Sequence, residues 1–153
     1  MSDRSEHRKQ CGNPVGEAGV EVGKRMNVHH EPLREWGLSN LEINPELNIL
    51  DIGCGGGHAV KRLHELYPAA KISGIDHSPD MVELTREVNA QAVEEGAVDL
   101  LVGSVSKLPF PDEYFELAVA METVYFWPEI ASDIIEVHRT LLPGGILLIL
   151  QAS

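Results

Sequence analysis

Scarcity narrows the class of this protein first. Two of the 153 residues are cysteine, Cys11 in a polar N-terminal stretch and Cys54 inside a glycine run, so neither a disulfide framework nor a metal site is indicated. Basic residues are few: 12 Lys and Arg against 24 Asp and Glu leave a formal net charge of -12, and no basic cluster offsets it, which argues against nucleic acid as a partner. No apolar run approaches the roughly 20 residues that span a bilayer. Met1 to Gln10 lacks the apolar core of a signal peptide, so a cytoplasmic location is expected. Repeats and low-complexity linkers are absent as well. What remains, with 43% apolar residues, is one globular domain over 16–153 behind a flexible leader, residues 1–15, that holds Gly12 and Pro14.

What is present is organised around Asn48 to Gly57, where a short apolar run, Ile49-Leu50-Asp51-Ile52, ends in four glycines within five positions. Ala59, Val60, Leu63 and Leu66 then recur at helical spacing, so the unit reads as strand, glycine loop, helix. Such a loop brings backbone N–H groups and a helix N-terminus against a small polar ligand. The dinucleotide fingerprint G-x-G-x-x-G fails, because His58 stands where its third glycine belongs. The pattern is Asp51-x-Gly53-x-Gly55-x-Gly57, which resembles the first motif of class I S-adenosylmethionine-dependent methyltransferases. A glycine turn that merely packs a helix on a sheet is the competing reading.

Further along, Lys71 to Ile75 reads as a second strand ending in Asp76, 19 positions beyond Gly57. An acid there sits beside the first loop and can accept hydrogen bonds from both hydroxyls of a ribose. Ser78 and Pro79 supply the cap and first turn of the next helix, with Met81, Leu84 and Val88 as its buried stripe, which leaves Asp76 for a ligand. His77 either packs on an adenine or is exposed. Val98 to Val102 is a third strand, and Leu108-Pro109-Phe110-Pro111-Asp112, followed by a fourth strand over 114–120, resembles the quinone-biosynthesis methylases within that family. Family members usually carry an acid near the start of this loop for the adenine amino group, whereas this chain has Ser104, a weaker uncharged acceptor. His138 to Gly145, a helix end at Pro143-Gly144-Gly145 before strand five (146–150), again resembles the family.

The resemblance implies an α/β, doubly wound Rossmann-like parallel sheet of order 3-2-1-4-5 with helices on both faces, lacking the family's last two strands. It implies S-adenosyl-L-methionine as cofactor and methyl transfer to a small-molecule acceptor. The donor contacts it implies are Asp51, Gly53, Cys54, Gly55, Gly57, Asp76, His77, Met81, Ser104, Val105 and Glu122. Val20 to Trp36 reads as two cap helices within 17–36, broken at Pro32 and stopped at Gly37. His29 and His30 between them either face the acceptor or lie on the surface. Tyr125, Phe126 and Trp127 shape an apolar acceptor pocket or pack a helix, whose buried face is predicted as Ile130, Ile134, Val137 and Leu141. A sulfonium methyl is already activated, so no base is required; if one exists, His29, His30, Glu122 and Tyr125 are the candidates. Two other classes stay open: an S-adenosylmethionine-binding protein without activity, and a nicotinamide-dependent oxidoreductase. Strand five, Ile146 to Leu150, carries no charge or proline to blunt a sheet edge. That edge is expected to be covered by further chain of a longer protein or by a second copy in a homo-oligomer.

Overall fold

A computed structural model of the chain describes Ser5, Lys9 and residues 11–152. Five strands, β1 (Asn48–Ile52), β2 (Lys71–Asp76), β3 (Val98–Val102), β4 (Phe115–Met121) and β5 (Leu141–Leu150), form one parallel sheet in the order β3-β2-β1-β4-β5. The expected architecture and strand order are those observed. β1 is central, with Ile49 opposite Ile72 on one side and Leu117 on the other. Strands covered on both faces are apolar throughout, which is why β1 and β4 read as runs rather than alternations.

Alternate side chains along the strands feed two cores. Ile49, Ile72, Val98, Leu117 and Val119 pack on one face beneath α2 (Glu31–Ser39), α3 (His58–Leu66), α4 (Pro79–Val88) and α5 (Ala90–Glu94), which contribute Leu38, Leu63, Val82 and Ala92. On the other face Leu50, Ile52, Ile75, Phe115 and Ala118 meet Val137 of α6 (Ile130–Thr140) together with Val105 and Leu108 of the loop after β3. That loop is fastened by Arg139, whose guanidinium donates to the Leu108 and Phe110 carbonyls at 3.1 and 2.9 Å and to Asp112 and Glu136 at 2.7 and 2.8 Å. No helix among the described residues is long and apolar enough to cross a membrane.

Several local expectations change. Within the leader, residues 1–4, 6–8 and 10 lie outside the described residues, while Pro14 is buried and its carbonyl accepts the Ser78 hydroxyl. The cap helices are α1 (Gly16–His29) and α2, with Pro32 inside the first turn of α2 rather than between helices, where its missing N–H costs nothing. Gly37 does not stop α2; a Cβ there would run into Leu150, so it allows α2 to lie close on the end of β5. The face of α6 also differs. Val137, Asp133 and Thr140 point inward, while Ile130, Ile134 and Ile135 are exposed, and Leu141 belongs to β5. Asp133 turns inward because its carboxylate accepts the Glu129 backbone N–H at 2.9 Å and the Ser106 hydroxyl at 2.7 Å, capping its own helix and tying down the loop. Pro143-Gly144-Gly145 lies within β5, at an irregularity between the Phe115 and Leu117 pairings, and the helix has already ended at Thr140.

Candidate functional site

At the carboxyl ends of the strands a cavity of about 400 Å³ opens between the glycine loop, the cap helices and the turn after β4. Ligands of open α/β sheets bind at this end. The loop is set by backbone bonds from Gly53 and Cys54 to the Ile75 carbonyl, at 2.7 and 3.0 Å, which hold it against β2. Gly55, at φ 52°, faces the cavity, and a Cβ there would point into open space where a ligand belongs. Gly57 differs, because at φ 89° it starts α3 and a Cβ would come within 2.7 Å of the Thr85 backbone, so it serves the packing of α3 on α4. It does not line the cavity.

α4 and α1 hold the loop from two further directions. Thr85 donates its hydroxyl to the Gly55 carbonyl at 2.9 Å, and Asn89 donates to Gly57 at 3.0 Å. Asn27, buried on α1, donates to the Gly56 carbonyl at 2.8 Å and accepts the His58 N–H at 3.3 Å, so it caps α3 from a helix 31 residues earlier in the chain. Sequence reading missed Asn27 because its partners are tertiary.

Two acids of like charge face the cavity. Asp76 accepts the Gly55 N–H at 3.0 Å and the Ser78 N–H at 2.9 Å, one on each oxygen. It is therefore not free, as the sequence suggested, yet each carboxylate oxygen keeps a second acceptor position toward the cavity. Burial raises its pKa, and the two N–H donors oppose that rise. Asp51 is fully buried, neither of its oxygens has a hydrogen-bond partner among the described residues, and burial followed by the Asp76 charge pushes it up to about 7. Arg34 of α2, 8% exposed, lines the same cavity; its Nη1 donates to the Asn27 carbonyl at 3.4 Å, while its Nε makes no hydrogen bond and lies 4.0 Å from the Glu35 carboxylate. Arg34 was also missed. The signal was present, since Arg34, Gly37 and Leu38 fall on one face of α2 and the glycine marks that face as close-packed.

Of the other expected donor contacts, Gly53, Cys54, His77 and Met81 line the cavity, Met81 fully buried and His77 exposed at its rim. Ser104 and Val105 line the far end, but the Ser104 hydroxyl oxygen already accepts the Ser106 N–H at 3.1 Å. Among the four base candidates, His30 and Glu122 face the cavity; His29 and Tyr125 do not. Tyr125 instead donates its hydroxyl to Glu122 at 2.6 Å, and burial with that bond pushes its pKa up, so it stays a phenol.

A buried unpartnered carboxylate beside a buried guanidinium fits the ammonium and carboxylate of an amino acid, and an acid at the end of β2 fits a ribose. Together they describe a nucleoside joined to an amino acid, as in S-adenosyl-L-methionine. The comparisons agree: the family model described as a methyltransferase domain matches residues 50–149, and the chain belongs to that family. Its class takes the methyl group from S-adenosyl-L-methionine. The chain is 32% identical over 141 residues to a malonyl-[acyl-carrier protein] O-methyltransferase of Priestia megaterium, covering 92% of this chain and 49% of that protein. It is 32% identical over 120 residues to a demethylmenaquinone methyltransferase of Symbiobacterium thermophilum, covering 76% and 47%. Among solved structures, a Haloferax volcanii methyltransferase in complex with the Trm112 activator superposes with a TM-score of 0.76 at 26% identity, covering 83% of this chain and 54% of that one. The chain thus spans about half the length of these relatives.

Proposed function

We propose that this chain binds S-adenosyl-L-methionine in the cavity and transfers its methyl group to a small-molecule acceptor. The observation that carries this is the buried carboxylate of Asp51, with no hydrogen-bond partner among the described residues, on the cavity that also holds buried Arg34 and the glycine loop. Asp51 takes the ammonium, Arg34 the carboxylate, and Asp76 the ribose hydroxyls, while Met81 and Val105 flank the adenine. When bound, the donor supplies an activated methyl: the carbon–sulfur bond breaks, its electron pair stays on sulfur, and the methyl joins the acceptor. The chain's part is to orient the acceptor behind that methyl and to exclude water. Met26, Leu33, Phe126, Trp127 and Leu150 give the acceptor side an apolar wall.

The two named relatives act, by their names, on a malonyl carrier protein and on demethylmenaquinone, so the acceptor of this chain is read from its own cavity. A cytoplasmic setting belongs to this reading, and the Cys54 thiol, free inside the donor cavity, suits a reducing compartment. So does pairing of a second copy along the β5 edge, where Ile149 is exposed. Calorimetry with S-adenosyl-L-methionine, its demethylated product and NADH is the test. Saturable binding of the first two and none of NADH is expected; binding of NADH alone would overturn the reading.

A further inference from the structure

Opposite the glycine loop, two ionisable groups from distant parts of the chain share one wall of the cavity. His30 is the single residue between α1 and α2, and its half-buried ring faces the cavity. No hydrogen bond to that ring occurs among the described residues; its ring neighbour is His29, at 5.4 Å between centroids. Glu122 comes from the end of β4 and is held with unusual firmness. Its backbone sits at φ 58°, a region that costs a non-glycine residue on the order of 1–3 kcal/mol and that clusters at functional sites. Its N–H donates to the Leu150 carbonyl at 2.8 Å, one carboxylate oxygen accepts the Tyr125 hydroxyl, and the other accepts the Ala152 N–H.

Resting on the donor reading above, we propose that His30 takes the proton from an acceptor bearing an oxygen or nitrogen nucleophile, and that Glu122 holds the imidazolium that results. The acceptor's O–H or N–H bond breaks, its proton passes to an imidazole nitrogen, and the heteroatom's electron pair forms the new bond to carbon. The positive charge that leaves sulfur reappears on His30, in the field of the Glu122 carboxylate on the same cavity, so net charge in the cavity is conserved.

The division of labour follows from what surrounds each group. The charges facing His30 are Glu122 from the end of β4, His29 from α1 and Arg34 from α2. Burial lowers the imidazole pKa most; His29 and Arg34 add to that and Glu122 opposes it, which leaves a neutral ring able to accept a proton at pH 7. Tyr125 stays protonated and does not take the proton, and Glu122, with one hydrogen bond on each oxygen, keeps a second acceptor position on each for the imidazolium. A carboxylate acceptor brings no proton to remove, and its charge would meet that of Glu122. The acceptor is accordingly an uncharged hydroxyl or amine on an apolar body.

The test is NMR titration of the His30 ring, assigned against His30→Gln, in complexes with S-adenosyl-L-methionine and with its demethylated product. A sulfonium near the ring should lower its pKa by roughly half a unit or more relative to the uncharged product. Glu122→Gln should lower it in both complexes. A His30 titration that is the same with either ligand overturns the proposal while leaving the donor reading intact. Failure of both ligands to bind in the calorimeter removes the donor reading and this inference with it. Methyl transfer confined to carboxylates, in a screen of phenols, amines and carboxylates, would overturn the acceptor class.

Discussion

The two sides of the cavity are built differently. On the donor side the glycine loop is fastened from β2, α4 and α1, each bond coming from a buried group: the Ile75 carbonyl, Thr85, Asn89, Asn27 and Asp76. On the acceptor side, past β4, a short 3₁₀ turn (Val124–Phe126) brings Phe126 and Trp127 to the cavity before α6, whose exposed Ile130, Ile134 and Ile135 lie off it. One side is specified by backbone and buried polar contacts suited to a single ligand. The other is an apolar wall with one fixed carboxylate, on which, under the proposed function, side-chain changes would alter the acceptor without disturbing the donor.

The largest effect should come from filling the donor side. Gly55→Val places a branched side chain in ligand space, and we expect no measurable heat with S-adenosyl-L-methionine while circular dichroism still shows a folded protein. Normal binding by that variant would make the loop a packing device only.

Asp51→Asn comes next and separates binding from stability. Its carboxyl titrates near 7 when folded but in the ordinary carboxylate range, about 4, when unfolded. A raised folded pKa means that the native state holds the proton longer, so stability falls as pH rises from about 4 to about 7 and is level above that. Asp51→Asn removes this loss. Denaturant melts without donor should show it more stable than the parent at pH 8, by on the order of a few kcal/mol, and little different at pH 4. Donor affinity should nevertheless drop, and thermal stabilisation of the parent by the donor should grow with pH up to about 7. A variant that is destabilised at pH 8 would contradict the buried, unpartnered carboxylate.

Asp76→Ala should weaken donor binding roughly a hundredfold or more, from two lost charge-assisted hydrogen bonds worth roughly 1.5–3 kcal/mol each. An unchanged dissociation constant would remove the ribose from β2. Replacing Arg34 by Lys keeps the charge and loses the planar fork, and roughly tenfold weaker binding is expected by calorimetry. The smallest effect belongs outside the cavity: Ile135→Lys on the exposed face of α6 should leave donor affinity unchanged and shift stability by no more than about 0.5 kcal/mol.

The same contrast governs what could be read from the sequence. The strands and the glycine loop were legible, because continuous apolar runs and glycine clusters leave few alternatives, whereas the strand order came from the family resemblance. α6 was misread: Ile130 and Ile134 form a regular apolar stripe, and only the loop's demand for Asp133 explains why the helix turns the other way. Arg34 and Asn27 escaped notice because a polar residue on an amphipathic helix looks solvated until its tertiary partners are known, and those of Asn27 lie in a loop 29 and 31 residues away. Gly37 and Pro32 were taken as punctuation, whereas one serves close packing and the other a helix start.

Cys54 sits in this cavity with Thr85 donating to its sulfur at 3.5 Å, and burial with the Asp76 and Asp51 charges drives its pKa well above the ordinary thiol range. A thiolate, not a thiol, is the reactive nucleophile. A sulfonium is an alkylating agent, and a reactive cysteine at its side would be consumed by the protein's own ligand. Burial, together with the two acids proposed to recognise the donor, thus disarms the thiol next to it, so incubation with S-adenosyl-L-methionine alone should leave the protein's mass unchanged.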